Sequence, residues 1–147
     1  CFEKIRLKQI KYKKNSELKI LNIARLTEQK DQITILKAIN ISKIKKQIKL
    51  TIVGYGTLKT RLLNFIKKNK INCRIIENKT NLKNYYSNND LFIFSSIYEG
   101  LPTAMVEAAS YCMPIISSNF KTGSKEILCS GKGGSIFQIK NYFFLVG

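Results

Sequence analysis

Short apolar runs and longer helical patterns alternate along almost the whole chain. The apolar runs have the length of buried strands, and the segments between them place apolar residues along one side of a helix. We predict strands over Leu18–Ala24, Leu50–Val53, Cys73–Ile76, Leu91–Phe94, Pro114–Ser117 and Ser135–Ile139. We predict helices over Gln32–Lys46, Leu58–Asn69, Leu82–Ser87, Thr103–Tyr111 and Thr122–Leu128. This alternation, with connections of a few residues, predicts an α/β three-layer domain with a mostly parallel sheet.

The stretch from Asp90 to Pro114 carries the clearest candidate chemistry. A buried strand is followed by a loop with glycine and proline, and a helix begins near Thr103, whose hydroxyl makes it a good N-cap. The free N–H groups of a helix start suit an anion or a set of hydroxyls. We expect Glu99 and Glu107 to face the crevice at the strand's carboxyl end and to accept hydrogen bonds from sugar hydroxyls. The alternative is that both are surface residues that complement the helix dipole.

A glycine-rich turn follows the second predicted strand. Gly54 and Gly56 stand between that strand and a helix, as in the phosphate-binding turn of nucleotide-binding folds. The alternative is a tight turn that needs positive φ and has no ligand. The spacing of two glycines alone does not decide between these interpretations.

The chain is strongly basic, with a formal net charge of +17 over 147 residues. Such a charge suits a polyanionic partner, either nucleic acid or an anionic membrane surface. Basic residues are spread from Lys4 to Lys140, however, and aromatic residues are not interleaved with them in a stacking pattern. We therefore interpret the charge mainly as compositional bias. Nucleic acid is an unlikely partner, and peripheral contact with a membrane stays open.

The cysteine pattern argues against a metal site. The four cysteines show no C-x-x-C spacing and the chain has no histidine, which disfavours a zinc site or a Cys–His nucleophile. Widely spaced cysteines are typical of buried thiols in a reducing, cytoplasmic protein. No apolar run approaches the roughly 18 residues of a membrane-spanning helix. Residues 1–17 are charged and poorly patterned, and we interpret them as a linker.

Four segments of the chain resemble motifs of one enzyme family and stand in that family's order. They are Ala24-Arg25-Leu26 with Lys30, Ile52-Val53-Gly54-Tyr55-Gly56, Tyr98-Glu99-Gly100-Leu101-Pro102 through Glu107-Ala108, and Glu126-Ile127. Over about Leu18–Ile139 the chain resembles the carboxyl-terminal domain of the glycosyl transferases group 1 family, retaining enzymes of the GT-B group. The resemblance implies a Rossmann-like domain that forms one half of a GT-B fold. Residues 18–147 would be the nucleotide-sugar-binding domain, truncated at its carboxyl-terminal end and without the amino-terminal acceptor domain.

The resemblance implies a reaction and assigns roles to residues. A sugar would pass from a nucleotide-sugar donor to a glycan or lipid-linked acceptor with retention of configuration, and no metal or other cofactor is expected. Arg25 and Lys30 would bind the donor's diphosphate, Glu99 the transferred sugar, and Glu107 the ribose. The remaining implied donor-binding residues are Gly54, Gly56, Ile76, Gly100, Leu101, Pro102 and Thr103, and the segment just after Ile76 would seat the base, often through main-chain contacts.

Two positions depart from the family pattern. Ala24 replaces the usual glycine before Arg25, and Cys112 stands where a glycine is usual before the fifth strand. A cysteine with positive φ would cost roughly 1 kcal/mol or more. Because the chain lacks the acceptor half, we expect it to be inactive alone. A non-catalytic nucleotide-binding remnant and, less favoured, a basic nucleic-acid-binding domain are the alternatives.

Overall fold

The computed structural model describes residues 16–77, 79–121, 123–128 and 134–141. In this part of the chain six strands form one sheet, and all neighbouring strands are parallel. The strands are β1 (Leu18–Ile23), β2 (Ile48–Val53), β3 (Cys73–Ile76), β4 (Leu91–Phe94), β5 (Ile115–Ser118) and β6 (Gly134–Phe137). Their spatial order is β3-β2-β1-β4-β5-β6. The predicted parallel α/β architecture is confirmed.

Helices cover both faces of the sheet and create two separate cores. They are α1 (Gln32–Ile41), α2 (Lys59–Lys68), α3 (Lys83–Ser87), α4 (Thr103–Ser110) and α5 (Ser124–Ile127). Successive strand residues point to opposite faces, so Ile20 joins the core under α1 and α2, whereas Leu21 joins the core under α3 and α4. None of the described helices is long and apolar enough to cross a bilayer.

The strand order reverses between β1 and β4. The chain moves outward from β1 through β2 to β3, then returns to place β4 on the other side of β1. Leu21 of β1 is therefore in register with Thr51 on one side and Phe92 on the other. In open α/β sheets, ligands bind in the crevice outside the carboxyl ends of the strands at such a reversal.

Helix α1 ends five residues earlier than the predicted Gln32–Lys46. It stops at Ile41, and a separate 3₁₀ turn follows at Lys45–Gln47. The cause is Ser42, whose backbone is extended and whose hydroxyl accepts a hydrogen bond from the N–H of Ile44 at 3.3 Å. Serine hydroxyls compete in this way with helical hydrogen bonding. The apolar periodicity alone did not reveal this break.

The cysteines that the structure describes are free thiols. Cys73 and Cys112 are half-buried rather than fully buried as predicted. Desolvation by burial raises the pKa of the Cys73 thiol to about 12, so it is protonated at neutral pH. Cys112 has φ of 54°, the left-handed conformation that a glycine normally adopts after a helix. Cys1, Cys129, residues 1–15 of the predicted linker and residues 131–133 of the turn before β6 lie outside the described residues.

Candidate functional site

A cavity of about 570 Å³ lies at the carboxyl edge of the sheet, at the reversal between β1 and β4. Segments that follow β1, β2, β3 and β4 contribute to it, together with the start of α4. Its lining residues are Ile23, Ala24, Arg25, Lys30, Val53, Gly54, Tyr55, Lys79, Thr80, Leu82, Phe94, Glu99, Leu101, Pro102, Thr103 and Ala104. The sheet topology thus brings residues far apart in sequence into one hollow.

Seven of the eleven predicted site residues line this cavity: Arg25, Lys30, Gly54, Glu99, Leu101, Pro102 and Thr103. The other four, Gly56, Ile76, Gly100 and Glu107, are not among its lining residues. Lys79 and Thr80, which follow β3, also line the cavity. They belong to the segment just after Ile76 that the resemblance implies for the base, although the sequence did not single out either residue.

The glycine turn holds the loop after β1 in place. A Cβ atom on Gly54 would lie 1.9 Å from the carbonyl oxygen of Ala24, and one on Gly56 would lie 2.4 Å from that of Leu26. The Leu26 N–H donates to the Tyr55 carbonyl at 2.8 Å, which fastens the two loops together. Close backbone approach and positive φ therefore account for both glycines. This contact places the adjacent Arg25 at the cavity.

Lys30 and Glu99 form an ion pair inside the cavity wall. Their side chains are only 12% and 7% exposed, and the Lys30 ammonium donates a hydrogen bond to Glu99 Oε1. The same ammonium lies 5.7 Å from the centre of the Phe94 ring. Buried charges are stable when they are paired and hydrogen-bonded, so each partner fixes the other. The sequence analysis gave these two residues separate roles and did not predict their pairing.

Backbone contacts reinforce this pairing. The Ser95 hydroxyl donates to the Lys30 carbonyl at 2.7 Å, and the Ile97 N–H donates to the Gln29 carbonyl at 2.8 Å. Gln29 Nε2 in turn donates to the Tyr98 carbonyl at 2.8 Å. These bonds join the 3₁₀ turn Glu28–Lys30 to the loop after β4. The two halves of the site are therefore held together before any ligand binds.

Arg25 presents an exposed guanidinium at the cavity. Its carbonyl accepts a hydrogen bond from Gln32 Nε2 at 2.8 Å, which fixes the backbone at this point. Among the described residues the guanidinium makes no ion pair. A guanidinium offers a planar fork of donors that matches a phosphate or carboxylate. The lining carries Arg25, Lys30 and Lys79 against Glu99, so the cavity favours an anionic ligand.

The start of α4 differs from the prediction. Pro102 occupies the N-cap position and Thr103 is the first helical residue, with no side-chain capping bond. The fixed φ of proline suits a helix entrance, so the turn Leu101-Pro102 sets the boundary one residue earlier. Thr103 as an N-cap is therefore wrong. The Thr103 side chain instead borders the cavity, where its hydroxyl is available to a ligand.

Glu107 lies one turn into α4 and makes a contact that the sequence did not indicate. Its Oε2 accepts a hydrogen bond from the buried Tyr86 hydroxyl at 2.8 Å. Burial, together with this hydrogen bond, raises the pKa of Tyr86, so the phenol is the donor. Tyr86 also stacks on Tyr111 with ring centres 5.1 Å apart. The expectation that Glu99 and Glu107 both face the cavity is confirmed for Glu99 alone.

Other expectations for the site differ from the observed geometry. The Ile76 carbonyl accepts the Gly54 N–H at 2.9 Å, so this residue belongs to the strand ladder rather than to the cavity lining. The Tyr98 side chain, in the loop after β4, is 63% exposed. Among the residues that the structure describes, no group of three or more cysteine, aspartate or glutamate side chains is arranged to hold a metal ion.

Comparison with known sequences identifies relatives. A family profile described as "Glycosyl transferases group 1" matches residues 3–142. An uncharacterized glycosyltransferase of Methanocaldococcus jannaschii is 38% identical over 74% of this chain and 28% of its own length. The amylovoran biosynthesis glycosyltransferase AmsD of Erwinia amylovora is 35% identical over 75% of this chain and 32% of its own. A Campylobacter jejuni N-acetylgalactosaminyltransferase, named for a diphospho-undecaprenol-linked acceptor, is 25% identical over 83% of this chain and 33% of its own length. The chain thus spans about a third or less of these relatives.

Solved structures confirm the fold class. The crystal structure of TarM superposes with a TM-score of 0.82 at 21% identity, covering 89% of this chain and 27% of that one. The pneumococcal O-GlcNAc transferase GtfA, solved with UDP and GlcNAc, superposes with a TM-score of 0.78 at 17% identity, covering 88% of this chain and 27% of that one. These likenesses establish the Rossmann-like α/β layer that forms one half of a GT-B fold.

Proposed function

Because the chain belongs to the glycosyl transferases group 1 family, we propose that it forms the donor-binding half of a retaining glycosyltransferase. It would bind a nucleotide-sugar donor, and the complete enzyme would transfer the sugar to a glycan or lipid-linked acceptor. A relative named for a diphospho-undecaprenol-linked acceptor supports this choice of acceptor class. We expect the donor chemistry to need no metal, since Arg25 and Lys30 would supply the positive charge at the diphosphate.

One observation carries this proposal. Arg25, Lys30 and Glu99 line the same cavity at the reversal of strand order, although Glu99 is remote from the two cations in sequence. Breaking the bond between the sugar's anomeric carbon and the phosphate oxygen leaves negative charge on the departing diphosphate. Cations held in a fixed position stabilise that charge in the transition state. The cavity therefore offers the electrostatic environment that the reaction needs.

The Lys30–Glu99 pair suggests how the site receives its donor. Glu99 balances the Lys30 charge, whereas the Arg25 guanidinium makes no ion pair within the described residues. We infer that the diphosphate is first bound by Arg25 and then shares Lys30. The Glu99 oxygens released from Lys30 would accept hydrogen bonds from the sugar's hydroxyls.

The rest of the donor would lie along the cavity wall. Lys79 and Thr80 border the cavity after β3, on the side away from Glu99's strand in the sheet order. We infer that they contact the base, in agreement with the resemblance, which implies this role for the segment just after Ile76. Glu107 is not among the lining residues, but the Tyr86 hydroxyl that donates to it also lies 3.3 Å from the carbonyl of Ala104, which lines the cavity. We infer that Glu107 contacts the ribose at this border of the cavity and that Tyr86 orients its carboxylate.

Kinetics of the complete enzyme test the proposal. Arg25→Ala and Lys30→Ala should each lower turnover about 100-fold or more, since each removes a cation that acts most strongly on the leaving group. The matched control is Lys59→Ala, which removes a lysine paired with Glu77 outside the cavity lining and should leave turnover unchanged. Unchanged turnover in both site variants would refute the proposal. Product anomeric configuration, read by NMR, tests retention separately.

A second candidate function is nucleotide binding without transfer. The ion pair itself favours it, because Glu99 neutralises one of the two proposed catalytic cations. Under this alternative the complete wild-type protein shows no transferase activity, and Glu99→Gln only frees Lys30 and strengthens nucleoside diphosphate binding. If the first proposal is correct, the complete wild-type protein transfers sugar, and Glu99→Gln lowers that activity because the sugar loses its carboxylate partner.

A further inference from the structure

A long segment of the chain carries basic residues and no acidic ones. Residues 32–76 contain eleven lysines and arginines and no aspartate or glutamate. The segment covers α1, α2 and the strands β2 and β3 that pair at one edge of the sheet. This segment therefore contributes +11 of the formal net charge of +17, because acidic residues are absent from it.

The fold gathers five lysines of this segment at one place. The turn after α1 and the end of α2 are joined by Lys45, whose ammonium donates to Asn40 Oδ1 at 2.8 Å and to the Asn69 carbonyl at 2.6 Å. Two lysines lie beside Lys45 in the sequence and three lie beside Asn69, and all five are exposed. We call this set the lysine face: Lys43, Lys46, Lys67, Lys68 and Lys70.

Within the described part of the chain, no acidic side chain pairs with the lysine face. The ion pairs that the segment makes with the described acidic residues use Lys49, Lys59 and Arg61. Across residues 16–77, 79–121, 123–128 and 134–141, none of the five lysines of the face forms an ion pair. Five unpaired charges in two adjacent turns repel one another, and an anionic partner relieves that repulsion.

The face lies at the edge of the sheet opposite the cavity. Its first lysines precede β2 and its last ones precede β3, so they stand at the amino ends of these strands. The cavity lies at the carboxyl ends. A partner on the lysine face therefore leaves the proposed donor site open.

Exposed apolar side chains accompany these lysines. Ile41, the last residue of α1, is 46% exposed, and Leu63, one helical turn before Lys67, is 42% exposed. Lysines with exposed aliphatic neighbours are typical of surfaces that lie on a membrane, where the ammonium groups meet headgroups and the apolar groups enter their boundary. We propose that the lysine face docks the protein on an anionic lipid surface.

The composition of the face favours lipid over nucleic acid. Arginine is preferred for forked contacts to phosphates and bases, but the two arginines of residues 32–76 have partners elsewhere: Arg61 pairs with Glu28, and Arg74 donates to the Thr51 hydroxyl. The unpaired basic groups around Lys45 are lysines, which act as hydrated point charges. The aromatic residue nearest in sequence, Phe65, is half-buried against the core under α2 and offers no stacking platform. Exposed Ile41 and Leu63 have no role in a complex held by phosphate contacts alone.

Vesicle binding of the full 147-residue chain tests this proposal. The chain should co-sediment with phosphatidylcholine vesicles that contain about 30% phosphatidylglycerol, and only weakly with pure phosphatidylcholine. Lys46→Glu with Lys70→Glu should lower the partition coefficient at least about tenfold. The matched control, Lys121→Glu with Lys125→Glu, makes the same change in net charge at exposed lysines elsewhere and should retain most of the binding. Thermal unfolding checks that both variants fold.

The apolar contribution and the competing partner have their own measurements. Ile41→Ser with Leu63→Ser should weaken vesicle binding several-fold, and more visibly at high salt, where the electrostatic part is screened.

Equal loss in the two charge variants would show a net-charge effect and overturn the proposal, as would absence of binding to anionic vesicles. Tighter binding to a DNA or RNA duplex than to these vesicles at the same salt, lost in the Lys46/Lys70 variant, would assign the face to nucleic acid instead. A nucleoside diphosphate should not displace the chain from vesicles.

Discussion

At the scale of single residues, Gly54 shows how one backbone position determines where a functional side chain lies. Its missing Cβ lets the turn after β2 approach the Ala24 carbonyl, and Arg25 follows directly. The glycine was visible in the sequence, but its partner was not, because the contact joins two loops that are distant along the chain. The close approach of the two backbones is enough to explain why a glycine stands here, without a role in phosphate binding.

Gly54→Ala should destabilise the protein by about 2 to 4 kcal/mol, since the new Cβ meets backbone and the φ of 158° is strained for alanine. Urea unfolding measures this loss. Gly100→Ala is the control, because a Cβ there has nothing within 4 Å. Its expected change is within about 0.5 kcal/mol. Similar losses for the two variants would contradict the close-approach explanation.

Asp31 gives a prediction about pH. This residue is buried next to Lys30, has φ of 46°, and accepts a hydrogen bond from the Thr34 hydroxyl at 2.7 Å. Burial raises the pKa of the Asp31 carboxyl above its ordinary value. Its protonated form is therefore favoured in the folded state. The stability that this preference contributes is present below the unfolded pKa and is lost as pH rises through the folded pKa.

Asp31→Asn keeps the acceptor for Thr34 and tolerates the left-handed backbone, but it carries no charge. The stability of this variant relative to wild type should therefore increase as the pH rises from about 3.5 to 7. Urea unfolding at several pH values gives the difference. A difference that stays flat or decreases with pH would show that the carboxylate is not disfavoured by burial. Asp31→Ala should be less stable than Asp31→Asn throughout, because it also loses the hydrogen bond.

At the scale of elements, the sequence predicted most of the fold and the structure shows why some boundaries moved. The bounds of β3 and β4 agree with the prediction. β4 is buried at all four residues, as a continuous apolar run predicts, whereas β3 is a half-buried edge strand. Boundaries set by single residues were less predictable. The Ser42 hydroxyl accompanies the early end of α1, and Pro102, without a side-chain capping bond, occupies the N-cap position of α4 instead of Thr103.

The contact between α3 and α4 gives a prediction at this scale. Tyr86→Phe preserves the stacking on Tyr111 and removes the hydrogen bond to Glu107. We expect a stability loss of about 1 kcal/mol and a 3- to 10-fold weaker affinity for a ribonucleoside diphosphate. Affinity for the corresponding 2′,3′-dideoxynucleotide should change much less, because it lacks the hydroxyls assigned to Glu107. Calorimetric titration measures both.

A neighbouring tyrosine and a double variant separate positioning from general packing. Tyr85→Phe alters the adjacent, half-buried tyrosine of the same helix and should leave nucleotide affinity unchanged. Tyr86→Phe combined with Glu107→Gln should be no weaker in binding than Glu107→Gln alone, because the tyrosine acts through the glutamate. Additive losses would mean that Tyr86 does not orient Glu107.

At the scale of the whole molecule, topology produces the site. The strand reversal places the loop after β1 beside the loop after β4, so that Lys30 meets Glu99 across a separation of 69 residues. Motif resemblance identified both residues, but a sequence does not show that they pair. The same topology places the lysine face at the opposite edge, where it is separate from donor chemistry.

The sequence identified those site residues that belong to local motifs. Residues at strand ends and in the turn before α4 were recognisable because their motifs are local, and Arg25, Lys30, Glu99 and Thr103 all border the cavity. For the loop after β3 the resemblance implied a segment, just after Ile76, rather than named residues. The placement of β3 shows that Lys79 and Thr80 of that segment line the cavity.

Titration calorimetry of the 147-residue chain with a panel of nucleoside diphosphates tests the central claim most directly. The claim is that Arg25 and Lys30 bind the diphosphate of a donor at the carboxyl edge of the sheet. The wild-type chain should bind at least one diphosphate with micromolar affinity. Arg25→Ala and Lys30→Ala should each weaken that binding about tenfold or more, through loss of a charge-assisted contact. Lys59→Ala should match wild type. No binding by any diphosphate, or equal affinity in the three variants, would contradict the claim.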